Sequence, residues 1–123
     1  MGRENRAVGI KGENLALEFL KRKGYKIAAT NLRTPFGELD IVARKENIIV
    51  FVEVKTRTSL SLGPPHISVT KLKQRSIIKN ALYYLKRYGL THSYWRIDVV
   101  SVLLGPGHDA ESIELIENAV EET

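Results

Sequence analysis

Two apolar runs in the middle of the chain have the composition of neighbouring β-strands. Residues 38–43 and 48–54 are rich in Val, Ile and Phe and contain no internal proline or glycine. The polar residues 44–47 between them predict a turn. The second run is apolar at nearly every position, which is typical of a strand buried on both faces. The pattern therefore predicts a hairpin at the centre of the fold.

Two longer segments have the spacing of amphipathic helices. The first is predicted over 11–23, with Gly24 as its C-terminal stop, and the second over 70–88, followed by Gly89. The inward positions predicted for the first helix are Glu13, Ala16, Leu17 and Leu20. Those predicted for the second are Leu72, Ile78, Ala81, Leu82 and Leu85.

Shorter segments complete an α/β pattern. Strands are predicted at 25–29 and 94–104, and residues 31–36 are predicted to connect the first of them to the hairpin. Residues 112–120 fit either a last strand or a short helix, because their periodicity is ambiguous. A loop rich in Ser, Gly and Pro is predicted at 58–65.

Length and composition predict a single domain. The 123 residues, 43% of them hydrophobic, are expected to form one domain over 1–123, with 1–8 flexible. The chain has no cysteine, which excludes disulfides, thiol catalysis and cysteine metal sites. No stretch approaches the ~18 apolar residues of a membrane span, and the polar N-terminus leads into no apolar signal core. We therefore expect a cytoplasmic protein that does not bind membranes.

Charged residues interrupt both central strands. If Glu46 and Asn47 form a two-residue turn, stepping outward along the hairpin places Asp40 opposite Glu53. Directly opposed residues of antiparallel strands have Cβ atoms about 4.5–5.5 Å apart. A slip of one residue would place the two carboxylates on opposite faces of the sheet. The hypothesis of a shared acidic site therefore depends on this register.

The same alternation puts Glu38 and Lys55 on the face that carries Asp40 and Glu53. Two carboxylates this close repel each other unless a cation lies between them, and their oxygens are ligands that Mg²⁺ prefers. A cation held in this way can bind a phosphodiester. The alternative is a solvated face with a Glu38–Lys55 cross-strand pair. This alternative is disfavoured because ionised side chains in a strand buried on both faces need a cleft or a partner.

Two further acidic residues lie in apolar surroundings. Glu13 fits either a third ligand of a metal site or a first-turn residue favoured by the helix dipole. Asp98 lies between Ile97 and Val99, with Arg96 two residues earlier on the same strand face. The pattern favours a structural Arg96–Asp98 pair over metal ligation at Asp98.

The charge is unevenly distributed along the chain. The net charge is +5 and the calculated pI is about 9.6. Residues 54–96 contain Lys and Arg but no Asp or Glu, whereas residues 97–123 contain Asp and Glu but no Lys or Arg. Solvated lysines are common on helices, but a basic tract beside a candidate metal site favours nucleic acid as the partner.

Several short motifs occur in the order found in a known family. They are Gly12-Glu13, Gly24 to Ile27, Asn31 to Arg33, Gly37 to Val42, and Val52 to Arg57. Together they resemble the bacterial YraN-like family of small, poorly characterised proteins. That family is related in fold to the restriction-endonuclease-like, PD-(D/E)XK nucleases and to archaeal Holliday junction resolvases. The resemblance extends over nearly the whole chain, and it is specific because Glu-x-Lys follows Gly-Glu-Leu-Asp at the family's spacing.

The resemblance implies a restriction-endonuclease-like α/β core, with a mixed central sheet flanked by helices. It implies that Asp40 and Glu53 bind Mg²⁺ or Mn²⁺, that Lys55 is the motif lysine, and that Glu13 is the helical acidic residue of resolvase-like relatives. These four residues would form the catalytic site. From the charge of the basic tract, we expect flanking phosphates to be bound by Arg57, Lys71, Lys73 and Arg75.

The chain departs from the wider superfamily pattern at two places. Leu39 precedes Asp40 where many relatives have proline. Gln74 is followed by Ile78, so the Gln and Tyr four residues apart that some relatives carry are not present. The nuclease site is therefore inferred more firmly than its substrate.

The expected function is a metal-dependent endonuclease that hydrolyses phosphodiester bonds. DNA, including branched DNA, is favoured over RNA as the substrate. A homodimer is one expected assembly. The alternative is a non-catalytic nucleic-acid-binding module in DNA repair, recombination or uptake. The joint presence of Asp40, Glu53 and Lys55 favours the enzyme. We expect His66 to be incidental, and Tyr94 and Trp95 to pack in the core rather than stack on bases.

Overall fold

The computed structural model describes residues 3–58 and 70–120. Within these ranges two helices and five strands follow one another along the chain. Their bounds are α1 (Arg3–Arg22), β1 (Lys26–Thr34), β2 (Gly37–Lys45), β3 (Ile48–Thr58), α2 (Lys71–Arg87), β4 (Tyr94–Leu104) and β5 (Ala110–Val120). The predicted loop beyond Thr58 and the residue His66 lie outside the described residues.

The five strands form one mixed sheet in the order β1-β2-β3-β4-β5. Strands β3 and β4 are parallel, with α2 between them in sequence, and the other neighbours are antiparallel. A parallel pair requires a crossover connection, which α2 helps to provide. Helix α1 contacts β3 and β4, and α2 contacts β1 and β2. The predicted α/β class with a mixed central sheet flanked by helices is confirmed, and the architecture is consistent with a restriction-endonuclease-like fold.

Each face of the sheet has its own apolar core. Helix α1 packs Ala16 and Leu20 onto one face, and α2 packs Ile77, Ala81 and Leu85 onto the other. The buried strand residues under α1 are Ile41, Ala43, Val50, Val52, Val100, Val102 and Leu104. Those under α2 are Leu39, Val42, Ile49, Phe51, Ile97, Val99 and Val120. Because β3 contributes to both cores, it has no polar face over its first half.

The hairpin register predicted from the turn is confirmed. Lys45 pairs with Ile48, and the ladder continues to the pair Ile41–Val52. Glu46 has a φ of 56°, the left-handed conformation that a tight hairpin turn requires.

Several element boundaries differ from those predicted. Helix α1 begins at Arg3 rather than at residue 11, and it includes Gly9 as well as Gly12. Strand β1 extends to Thr34 and so includes most of the predicted connection, because it pairs with β2 as far as Thr34–Gly37. The ambiguous segment near the C-terminus is a strand, paired with β4. The last two segments are strands because each pairs with a neighbouring strand, and the local sequence does not encode this pairing.

Two of the inward positions predicted for α2 are wrong. Leu72 is 74% exposed and Leu82 is 41% exposed. The predicted residues Ala81 and Leu85 are buried, and the other buried residues of α2 are Ile77 and Asn80. The prediction misplaced the buried stripe because the observed stripe includes a polar residue, Asn80. The Asn80 side chain donates to the Ser76 carbonyl at 2.9 Å and accepts from the Thr34 hydroxyl.

The aromatic residues at the start of β4 have different environments. Trp95 packs against Phe51 with the ring centroids 5.9 Å apart, as predicted. Tyr94 is 78% exposed, so the prediction that it packs in the core is wrong. Of the helices in the described part of the chain, none is long and apolar enough to cross a membrane.

Candidate active site

The two hairpin strands stop pairing where the predicted acidic residues begin. The ladder ends at Ile41 and Val52, although both strands continue beyond these residues. The backbone N–H of Val54 donates instead to Asp40 Oδ2, at 2.9 Å. The Asp40 carboxylate therefore takes the place of a ladder acceptor, and it is held in the gap between the separated strands.

Glu53 is the buried partner of Asp40. It is 7% exposed and lies within hydrogen-bonding reach of the Asp40 carboxylate. Burial, followed by the negative charge of Asp40, raises the pKa of Glu53 to about 7, although Lys73 partly opposes the rise. Two carboxylates in contact at a buried position favour the uptake of a proton or a cation. The structure brings together the two residues that the register argument placed opposite each other.

Lys73 reaches Glu53 from α2. Its Nζ lies 3.1 Å from Glu53 Oε1, and its side chain is 48% exposed. The sequence assigned Lys73 to phosphate binding, whereas the structure places it against a predicted metal ligand. Helix α2 therefore supplies a cation to the acidic pair from the opposite side of the sheet to α1.

Glu13 approaches the same gap from α1, as predicted. This approach depends on Gly12, because a Cβ at that position would overlap the side chain of Thr56 on β3. Glycine has no Cβ, so it lets the helix backbone lie directly on the strand. The Gly-Glu motif thus combines a residue that permits close packing with the carboxylate that this packing positions.

The Glu13 carboxylate is held by a residue of β1. It forms a side-chain hydrogen bond with Asn31, which adopts a φ of 49°. Burial raises the pKa of Glu13, and the charges of Asp40 and Glu38 add to the rise, whereas the Asn31 hydrogen bond lowers it. Glu13 therefore belongs to the same electrostatic cluster as Asp40.

One cavity of about 580 Å³ joins these groups. Its charged lining residues are Glu13, Asp40, Glu53, Lys55 and Arg57. All four predicted catalytic residues therefore line one space, together with one of the predicted phosphate-binding residues. Carboxylates and cations in the same cavity can bind a divalent cation and a phosphate side by side.

The oxygen ligands in the cavity fit the way in which proteins hold Mg²⁺. Within residues 3–58 and 70–120, no three acidic or histidine side chains form a ready-made metal cluster. Magnesium does not require one, because it keeps several waters and is usually held by one or two carboxylates and by substrate phosphates. The pair Asp40 and Glu53 meets that requirement. Burial and then the charge of Asp40 raise the pKa of Glu53, and a divalent cation would offset the repulsion from Asp40.

The other predicted basic residues lie outside the cavity. Lys71 and Arg75 are exposed on α2, and Arg75 lines a separate groove beside Phe36. Glu38 and Lys55 form no ion pair in the part of the chain that the structure describes. The structure therefore does not contain the Glu38–Lys55 surface pair of the alternative hypothesis.

Arg96 and Asp98 form the structural pair that the sequence favoured. Arg96 Nε lies 3.1 Å from Asp98 Oδ1, and Asp98 is fully buried. The backbone N–H of Asn118 also donates to Asp98 Oδ1, at 2.8 Å. The carboxylate is therefore committed to partners within the fold.

Sequence reasoning missed two contributions to the site. Asn31 was recognised only as part of a family motif, although an Asn with positive φ inside a strand is a local irregularity. Lys73 was recognised only as one of several surface cations. The local sequence indicates neither contact. Asn31 contacts Glu13, and Lys73 contacts Glu53, from positions far away along the chain.

The fold and the site define a mixed α/β protein with an acidic cavity where two central strands separate. The model of the uncharacterised protein family UPF0102 matches residues 12–102. The chain therefore belongs to this family.

The curated relatives cover nearly the same length of chain. A UPF0102 protein from Pelobacter propionicus is 50% identical over 120 residues, covering 96% of this chain and 85% of that relative. One from Desulfosudis oleivorans is 49% identical over 111 residues, covering 90% and 87% of the two chains. One from Geobacter metallireducens is 46% identical over 121 residues, covering 98% of each chain. Their names state no activity.

Proposed function

We propose that this protein is a metal-dependent nuclease that hydrolyses phosphodiester bonds of nucleic acid. The observation that carries the proposal is the contact between Asp40 and Glu53 in a cavity that Lys55 and Arg57 also line. Buried like charges are costly, and a fold keeps them where they bind or react. The resemblance to PD-(D/E)XK nucleases and YraN-like proteins agrees with this function. We further propose DNA, including branched DNA, as the substrate and Mg²⁺ or Mn²⁺ as the cofactor.

Each residue of the site has a role that follows from its contacts. Asp40 uses Oδ2 to accept from the Val54 N–H, which leaves Oδ1 for a cation. Glu53 offers the second carboxylate once it is ionised. A divalent cation, when bound, would stabilise the negative charge that develops on the scissile phosphate.

The remaining charged groups act on water and phosphate. Lys55 supplies a positive charge inside the cavity, where it orients the attacking water and neutralises phosphate oxygens. Arg57 binds a neighbouring phosphate oxygen without reading the base. Glu13 holds a water beside Asp40, because its carboxylate is fixed by Asn31 within electrostatic range of that residue.

The test is a cleavage panel with matched variants. Wild type, Asp40→Asn, Glu53→Gln and Lys55→Ala are incubated with single-stranded, duplex and branched DNA and with RNA. Each reaction is run with Mg²⁺, with Mn²⁺ and with a chelator. We expect metal-dependent cleavage by wild type, and a loss of at least about 100-fold in each variant, the scale seen when one charge-stabilising group is removed. Lys55→Ala should still bind the metal, because lysine is not a ligand.

Two outcomes would overturn this account. Equal cleavage by wild type and Asp40→Asn would trace the activity to a contaminating nuclease. Inactivity of wild type on every substrate, with nucleic-acid binding retained, would establish a non-catalytic binding module instead. That second candidate function is favoured by one observation, namely that Lys73 already gives Glu53 a cation from within the protein.

A further inference from the structure

An aromatic ring projects from the β1–β2 turn, at the end of the sheet that carries the acidic cavity. Phe36 is 50% exposed. It precedes Asp40 by four positions in the sequence, which corresponds to at most about 13 Å along an extended strand. The backbone of the turn therefore lies within about 13 Å of the backbone of Asp40.

Hydrogen bonds of the Phe36 backbone fix the β1–β2 turn. The Phe36 N–H donates to Thr34 Oγ1 at 3.0 Å, and the Ser76 hydroxyl donates to the Phe36 carbonyl at 3.3 Å. Gly37 has a φ of 138°, and a Cβ there would lie 3.3 Å from the Asn80 amide nitrogen. The backbone of Phe36 is thus anchored on both sides, and half of its side chain remains exposed.

Two grooves meet at this ring. One of about 410 Å³ is lined by Phe36, Lys79, Leu82, Tyr83 and Lys86. The other, of about 290 Å³, is lined by Phe36, Leu72, Arg75, Ser76 and Lys79. We call the surface formed by Phe36, Tyr83, Arg75, Lys79 and Lys86 the Phe36 platform.

The platform combines flat apolar surface with positive charge. The Phe36 and Tyr83 rings are 6.2 Å apart in an edge-to-face arrangement. Helix α2, which supplies the other platform residues, contains no acidic residue along its whole length. Aromatic side chains beside cations are the combination that binds unpaired nucleotides, because bases stack on the rings while phosphates meet the cations. Duplex DNA offers the phosphates but keeps its bases stacked inside.

We propose that the Phe36 platform binds an unpaired strand of nucleic acid. A base stacks on Phe36, and the flanking phosphates lie at Arg75, Lys79 and Lys86. The inference deepens the proposed nuclease function and rests on it for the strand's path towards Asp40. The preferred substrate is then a nucleic acid with a single-stranded segment beside the scissile bond, such as a branch, flap or end.

The test is binding in the presence of a chelator, so that cleavage plays no part. Fluorescence anisotropy compares a labelled dT oligonucleotide with a blunt duplex of equal length. The proteins are wild type, Phe36→Ala, Phe36→Trp and Tyr94→Ala. Tyr94 is the matched control, because it is an exposed aromatic residue at the opposite end of the sheet.

Phe36→Ala is expected to weaken oligonucleotide binding roughly 5- to 150-fold, the range for one lost stacking contact. It should leave duplex binding unchanged, Phe36→Trp should restore oligonucleotide binding, and Tyr94→Ala should bind as wild type does. Equal oligonucleotide binding by wild type and Phe36→Ala would overturn the platform while leaving the nuclease proposal intact.

Other outcomes would assign the surface to a different partner. A loss that is the same on duplex and oligonucleotide would overturn stacking as the mechanism. Binding to anionic vesicles that depends on Phe36, with nucleic-acid binding unaffected, would identify a lipid surface instead. Self-association that Phe36→Ala abolishes, with oligonucleotide binding unchanged, would identify a second copy of the chain. Failure of the wild type to bind any nucleic acid would overturn both this inference and the proposed function.

Discussion

Asp98 and Glu53 are buried carboxylates on neighbouring central strands, and they have different partners. Asp98 on β4 accepts from Arg96 Nε at 3.1 and 3.2 Å and from the Asn118 N–H at 2.8 Å. Arg96 in turn donates to the Tyr25 hydroxyl at 2.9 Å. Glu53 on the neighbouring strand β3 instead faces another carboxylate and a half-exposed lysine.

The difference separates a carboxylate that is satisfied within the fold from one that the proposed function would use. Burial raises the pKa of both groups, but hydrogen bonds from Asn118 and Arg96 oppose the rise at Asp98, whereas Asp40 adds to it at Glu53. A satisfied buried charge contributes to the specificity of the fold and has no capacity left for a ligand. An acidic pair in an open cavity retains that capacity.

Removing the cation from each pair should give the largest contrast. Arg96→Ala leaves Asp98 buried without its counter-ion and should lower the free energy of unfolding by about 3–5 kcal/mol. Lys73→Ala is the matched control and should cost less than about 1 kcal/mol, because Lys73 is half exposed and water can replace it. Urea denaturation measures both values. Losses of equal size would contradict the distinction between the two carboxylates.

The stability of the protein should depend on pH through Glu53. Its pKa is raised from 4.5 to about 7, so the folded state binds the proton more tightly than the unfolded chain does. The stabilisation from this proton is complete below the unfolded pKa and is lost as the pH rises through about 7. Glu53→Gln removes this dependence and should be more stable than wild type by up to about 3 kcal/mol at about pH 8. Melting curves from acid to alkaline pH test this, and parallel profiles for the two proteins would refute it.

The close packing of α1 on β3 can be tested with a pair of glycines in the same helix. Gly12→Ala brings a Cβ into the Thr56 side chain and should cost about 1–3 kcal/mol. It should also reduce cleavage, because it moves Glu13 away from Asp40. Gly9→Ala meets nothing within 4 Å and should be neutral or stabilising by about 0.5–1 kcal/mol. Similar effects of the two changes on stability would show that Gly12 has no special role.

The smallest expected effects concern surface cations. Lys71→Ala and Arg75→Ala should each reduce the slope of log affinity against log salt by about 0.7–0.9, the value for one lost phosphate contact. Lys26→Ala serves as the control, because Lys26 begins β1 near the hairpin turn, away from the acidic cavity. Binding titrations over a range of salt concentrations give the slopes. Slopes unchanged from wild type would remove Lys71 and Arg75 from the nucleic-acid interface.

The sequence predicted those parts of the molecule that depend on local pattern. The composition of the central strands and the turn between them was sufficient to place Asp40 opposite Glu53, because register follows from turn geometry. Asp98 and Arg96 were recognised as partners because they lie two residues apart on one strand face.

The parts that were missed depend on contacts across the fold. The pattern predicts that Leu72 and Leu82 belong to the buried stripe of α2, but the stripe is displaced because Asn80 is buried with its own hydrogen bonds. The exposed position of Phe36 could not be predicted, because it arises from the anchoring of the β1–β2 turn on α2. Lys73 meets Glu53 only because α2 packs on the sheet face towards which Glu53 is directed. None of these arrangements leaves a periodic trace in the sequence.

The most direct test of the central claim is calorimetric titration of Mn²⁺ into the protein at about pH 8, where Glu53 is largely ionised. Wild type, Asp40→Asn and Glu53→Gln are compared, with the exposed Glu46→Gln as the control. The account predicts one saturable site in wild type and in Glu46→Gln, and its loss in both site variants. Equal Mn²⁺ binding by wild type and Asp40→Asn would contradict the assignment of Asp40 and Glu53 as the metal-binding pair.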